Sequence, residues 1–398
     1  MTTGASSGNA IRRAMPAFLT YGFRPFFLAA GLWSAVALTM WIVMLDTGVT
    51  LPSRFDPLTW HIHEMLFGFV MAAIAGFLLT AIPNWTGRLP VSGGPLALLA
   101  ALWLLGRIDC LISATVPPWL AVTADVSFPV VLTAVVAREI IAGRNWRNLP
   151  VVAAVIALGI ANLLMHLEAD DIDVPPGLGW RLGVAAVIVL ISVVAGRVVP
   201  NFTRNWLAKR QSSKLPAGHG WIDRIALGVL PVGLLLWAFV PQFRPSGLLL
   251  LLGAAFNFYR LLRWRGTATT AEPLLLVLHI GYAWLVFGIA LLGLITLGID
   301  LPASAAIHAL TAGAIGTMIL AMMTRATRGH VGRELSADRI TSLIYVLVTL
   351  AAIMRVAAAF ATVWTMPLLV VSAVFWIAAS GGFVLAYGPM LLLPRRDR

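Results

Sequence analysis

Long apolar runs, separated by brief polar or Pro- and Gly-bearing breaks, occupy almost the whole chain, and within each run the apolar residues fall on every face. A half-buried strand alternates with period two and a soluble amphipathic helix carries one apolar stripe; a helix that is apolar all round is buried or faces lipid. A bilayer core of roughly 30 Å requires about 20 such residues per helix, and Pro, Gly and charged residues mark the cuts. Cut there, the chain yields twelve segments, at 26–46, 58–83, 95–115, 118–141, 149–168, 180–206, 222–241, 246–265, 272–298, 302–324, 339–361 and 364–392. The pattern predicts an all-α integral membrane protein with a single twelve-helix domain over 25–393, a tail at 1–24 and a short basic tail at 394–398.

Composition agrees with this solvent. Of the 398 residues, 60% are hydrophobic and 11% charged, against about 25% charged in soluble domains. The formal charge of +12 invites a nucleic-acid reading. The basic residues lie in short loops between apolar runs and form no continuous patch, so membrane lipid is the expected partner and nucleic acid is not. The lone Cys110 excludes an internal disulfide and any site built on several cysteines. Redox chemistry, if present, must use histidine or a cofactor.

Orientation follows from Lys and Arg, which are enriched in cytoplasmic loops. Arg12, Arg13 and Arg24 precede the first segment, Arg88 follows the second, and Arg138, Arg144 and Arg147 lie between the fourth and fifth. Lys209, Arg210, Lys214 and Arg224 follow the sixth, Arg260, Arg263 and Arg265 the eighth, and Arg325, Arg328, Arg333 and Arg339 the tenth; Arg395, Arg396 and Arg398 end the chain. All fall on one side. The opposite loops hold little beyond Arg54, Arg181 and Arg244, and one carries EADDID at 168–173. Both termini are expected to be cytoplasmic.

Candidate chemistry lies near the opposite face. His61, His63 and Glu64 open the second segment in WHIHEMLFGF, and His308 lies six or seven residues into the tenth. Arg107 and Arg355 occupy the matching half of the third and eleventh segments, too deep to snorkel. An intramembrane arginine needs an anionic partner, and only Glu64, Asp109 and Asp125 lie near that depth. One reading is haem b, with His63 and His308 as axial ligands and Arg107 and Arg355 pairing its propionates. The other is that both histidines bond neighbouring helices and the arginines bond carbonyls or Glu64, which on either reading is a candidate proton or charge carrier.

A second polar layer lies at the basic face. The second and sixth segments end in PNWTGR and PNFTRN, four helices apart, and the tenth ends in TRATRGHVGR. This spacing suggests three four-helix units around a pseudo-threefold axis. His279 and His330 are candidate metal ligands in this layer, and Arg325, Arg328 and Arg333 are a candidate nest for a phosphate or lipid headgroup.

WHIHEMLFGF, GFLLTAIPNWTGR, LWLLGR at 102–107, LHIGYAWL at 278–285 and HALTAGAIGTMILAMMTRATRGHVGR at 308–333 together resemble the NnrS family of bacterial haem- and copper-containing inner-membrane proteins. The resemblance covers nearly the whole chain. It implies haem, copper and a role in nitric oxide metabolism and resistance, with nitric oxide or a nitrosyl species as partner. Val331 departs from the family's pattern, where threonine is expected. A more distant resemblance is to the catalytic subunit of haem–copper oxidases, in which a haem histidine on the second of twelve helices precedes an Asn-Trp pair by about twenty residues, as His63 precedes Asn84-Trp85. That likeness also points to His63 and His308. Absence of histidine from the sixth and seventh segments argues against an oxidase-type copper centre.

Copper, if bound, must take other ligands. His61 and His63 point about 200° apart on a helix and cannot face one haem, which leaves His61 for copper with His166, Met65 or Met165; the alternative is His279 with His330. The functional expectation is a haem protein that binds or redox-converts nitric oxide, supplied with electrons by quinol or a donor protein. The alternative is a transporter or channel for a small anion or nitrosyl–metal species.

Overall fold

The computed structural model describes residues 16–394, which fold as helices joined by short turns, with no strand among the described residues. Arg12, Arg13, Arg395, Arg396 and Arg398, counted above toward orientation, lie outside them. Twelve helices are long and apolar enough to cross a membrane. They are α1 (Phe23–Thr47), α2 (Pro57–Thr86), α3 (Gly94–Thr115), α4 (Pro118–Ala142), α5 (Trp146–Ala169), α6 (Leu178–Lys209), α7 (Trp221–Phe239), α8 (Pro245–Arg263), α9 (Pro273–Thr296), α10 (Ala303–His330), α11 (Arg339–Phe360) and α12 (Thr365–Leu392). All twelve expected segments are present. Helices α6 and α10 run further than the apolar count, because their polar last turns continue the backbone hydrogen bonding past the last apolar residue.

Consecutive helices pack on one another, and α12 returns to α1 to close the ring. Arg24 on α1 seals the closure by donating from Nη1 to the carbonyls of Leu391 (3.0 Å) and Leu393 (2.7 Å), which lack partners within the helix. The two described ends therefore lie on the same face. At the centre, α2, α6 and α10 touch one another, and each is the most buried helix of its own consecutive four. The three central helices are thus spaced four apart along the chain, the interval at which the PNWT and PNFT motifs recur. Lipid tails offer helices no hydrophobic reason to associate, so close approach relies on small residues. Gly247 on α8 and Gly293 on α9 show it: a Cβ on either would come within 3.0 Å of the other's carbonyl oxygen.

Two local features shape the face opposite the termini. Asp56 caps α2 by accepting from the backbone N–H groups of Leu58 and Thr59, with Pro57 at the first helical position. Just before it, the Arg54 side chain binds the carbonyls of Ser113 (3.0 Å) and Val116 (2.9 Å) and the Asp170 carboxylate (3.1 Å), tying three loops together. Immediately after their histidines, α2 and α10 both widen into π-helical turns, over Glu64–Val70 and Ala309–Gly316. Such turns are rare and frequent at functional sites.

Candidate functional site

Near the face opposite the termini, α1, α2, α6, α10, α11 and α12 enclose a cavity of about 440 Å³, a size typical of ligand and cofactor sites. Its wall is mostly apolar, with Trp41, Met65, Phe69, Trp180 and Trp376 among its lining residues, and its polar points are His61, Ser304, His308, Thr311, Ser372 and Arg355. The His308 Nδ1 lies 2.7 Å from the Ser304 carbonyl. A carbonyl only accepts, so Nδ1 carries the proton and Nε2 keeps its lone pair. The His61 ring stacks on Trp41, centroids 4.2 Å apart, and its Nδ1 is buried without a hydrogen-bond partner. No carboxylate pairs with Arg355 among the described residues. Cavity and groups together can hold a ligand that has an apolar body, a nitrogen-seeking centre and an acidic edge.

Beside this cavity, α2, α3, α4 and α5 bury a separate polar cluster. His63, Glu64, Arg107, Cys110, Asp125 and His166 are each at most 2% exposed. Arg107 donates to Glu64 Oε1 (2.6 Å) and through Nη2 to Asp125 Oδ1. Trp33 Nε1 donates to the other Glu64 oxygen at 2.6 Å. Asp125 Oδ2 stands 3.1 Å from both His63 Nε2 and His166 Nε2, and Glu64 Oε1 is 3.1 Å from His63 Nδ1. One ligand atom each from His63, Cys110, Asp125 and His166 lies within 4.8 Å of the others, a grouping that could hold a metal ion.

The family model for the NnrS protein matches residues 17–395. The chain belongs to the NnrS family. No curated protein matches it.

In this NnrS chain the expected site residues divide between the two places. His63 and His308 were expected on one guest; the structure puts His61 with His308 on the cavity and His63 in the cluster. The separation follows from the helix: His61 and His63 precede the π-turn, keep ordinary helical spacing and point apart. Arg107 needs no acid from outside the chain, because Glu64 and Asp125 take its charge. Glu64 is correspondingly the arginine's partner and does not line the cavity. Arg355 alone of the two arginines faces the cavity.

The basic-face expectations also separate. His279 Nε2 lies 3.0 Å from the Thr203 hydroxyl, whereas the exposed His330 packs near Tyr21 and Phe23. Of Arg325, Arg328 and Arg333, Arg328 binds Asp338 (2.9 Å) and the Glu334 carbonyl (3.0 Å), and Arg325 lies over the Phe202 ring. His166 joins His63 rather than His61. The residues not foreseen are Cys110 as a neighbour of His63 and Asn162, whose Oδ1 is 3.2 Å from His63 Nε2. Their signal was spacing: Arg107 and Cys110 at three residues, and Asn162 and His166 at four, each pair on one helix face.

Proposed function

We propose that this protein binds haem b in the cavity between α2, α10 and α11 and acts in nitric oxide metabolism at the bacterial inner membrane, with the cavity toward the periplasmic side. One observation carries the reading: the partnerless Nδ1 of His61, the His308 ring whose Nδ1 is held by the Ser304 carbonyl, and Arg355 all line one apolar cavity of cofactor size. Haem, when bound, supplies a one-electron iron couple and a metal centre with affinity for nitric oxide.

The chain's own residues prepare that place. Ser304 holds the His308 tautomer, so a ring nitrogen is offered without a proton to lose. Trp41 fixes the plane of His61. Arg355 supplies the positive charge that a propionate neutralises, which removes the cost of burying it alone. Trp180, Trp376 and Phe69 give the rest of the wall an apolar lining. Electrons come from quinol or a separate donor protein.

The test is the reduced-minus-oxidised spectrum and haem content of the purified protein. Haem b bands are expected at about one haem per chain. His308→Ala and His61→Ala lose them, Arg355→Leu weakens retention, and His166→Ala, outside the cavity, keeps them. A colourless preparation overturns the proposal in favour of an anion carrier, and loss of haem in His166→Ala with retention in His61→Ala moves the site to the cluster.

A further inference from the structure

A second, smaller chamber lies beyond the cofactor-sized cavity. The wall of the large cavity ends at Val70 on α2 and at Ile315 on α10; three or four residues on, Ala73 and Ile74 of α2 and Met318 and Ile319 of α10 line a separate space of about 90 Å³. Phe27 of α1 and one face of α6 between Leu190 and Val199 complete it. Positions three and four apart share a helix face, so the two spaces follow one another along α2 and α10 at an interval of about 5 Å. The junction falls where both π-turns end, at Val70 and Gly316, and ordinary helical geometry resumes.

The lining decides what can enter. Every side chain on the wall is hydrocarbon or thioether. A buried water needs about two to four polar partners, and an apolar cavity of about 150 Å³ in another protein stays dry and takes xenon or benzene. Interiors normally close-pack, and a void forfeits dispersion contacts along its wall. We propose that this chamber binds one small uncharged gas molecule of diatomic size and stages it for the cofactor cavity. The binding site stands without a cofactor; the staging role rests on haem occupying the larger cavity.

Other guests fit poorly. An anion finds no donor on this wall, and a haem or a quinone ring needs a space nearer the 440 Å³ of the larger cavity. A diatomic gas loses little on leaving water and meets polarizable sulfur in Met318, Met322 and Met323. Access is also on the right side of the solvent boundary. Phe77, Val194, Val198, Ile319 and Met322 are each partly exposed and form a mouth. Phe77 lies about 14 Å along α2 from the helix end at Thr86, a depth at which a membrane helix is surrounded by hydrocarbon. Uncharged diatomic gases dissolve better there than in water. Toward the larger cavity, Met318 stands one turn beyond Ile315, and an unbranched side chain with three rotatable bonds can clear the way without backbone motion.

The experiment uses the full chain, crystallised from a lipid mesophase and pressurised with xenon as the probe. One xenon peak is expected in the chamber, between Ala73, Ala195 and Met318. Ala73→Leu and Ala195→Leu fill the space from different helices, and each should remove the peak from a monodisperse protein. No peak in the wild type, or an acyl chain lying in its place, overturns the proposal whether or not a variant folds. Staging is read by flash photolysis of carbon monoxide from the reduced haem. Both variants should slow bimolecular rebinding by about tenfold with the haem b bands unchanged. Unchanged rebinding in a variant that excludes xenon overturns the staging role. Xenon bound in a protein that lacks haem upholds the gas site and sinks the haem reading, whereas haem without xenon does the reverse, so the two failures are distinguishable.

Discussion

Arg107 holds the buried cluster together, since its guanidinium neutralises Glu64 and Asp125 at once. Replacing a buried pair wholesale is often neutral, but removing one partner leaves uncompensated charge and costs about 3–5 kcal/mol. Arg107→Met is therefore expected to lower stability by about that much, followed by tryptophan fluorescence during denaturation in detergent micelles. Adding Asp125→Asn should recover part of the loss, because it deletes one of the stranded charges. A loss under about 1 kcal/mol for the single variant would count against the buried-pair reading. Residue depth was legible in the sequence: a charge deep in an apolar run is conspicuous, and the Glu64–Arg107 pairing was one of the alternatives it left open. Identity of the partner was not, because Asp125 reaches Arg107 from a different helix and its azimuth is invisible in a run that is apolar on all sides.

At the level of elements, α3 and α4 carry the cluster only because they approach closely at Gly106. A Cβ there would stand 2.4 Å from Asp125 Oδ1 and 3.1 Å from the Asp125 Cα. The second contact is to backbone and cannot be relieved by turning a side chain. Gly106→Val should wedge α4 away, loosen the Arg107–Asp125 pair and open the cluster to solvent. Cys110, one turn along and fully buried, reports this directly. The native thiol should resist N-ethylmaleimide, and the variant should be labelled to completion in a time that leaves the wild type unmodified. Rapid labelling of the native thiol would show that the close approach is absent. The twelve helices were legible because spanning a bilayer imposes length and apolarity on each. The two π-turns were not, since an extra residue in a turn leaves an all-apolar pattern unchanged. They alter the azimuth of the helix beyond Glu64 relative to His63, so the interval from His63 to Asn84-Trp85 does not measure a constant rotation.

For the whole molecule, twelve crossings and the contact of Arg24 with the end of α12 place both described ends on one face. Which face that is depends on charge in the short loops. On the terminal side lie Arg88, Arg144, Arg147, Lys209, Arg210, Lys214 and Arg265, while the far loops offer Arg54 and Arg244 against Asp46, Asp56, Asp170, Asp171, Asp173 and Asp300. Arg54 is engaged in tying loops, which accounts for its place among the acids. The bias predicts a cytoplasmic C-terminus and puts both the cavity and the cluster in the opposite leaflet. Green fluorescent protein fused after residue 394 should fluoresce, and alkaline phosphatase there should be inactive. Phosphatase fused after Ile299, in the turn between α9 and α10, should be active. The reverse pattern would put His61 and His308 within reach of the cytosol, and the proposed haem site would then have to be drawn on the cytoplasmic side.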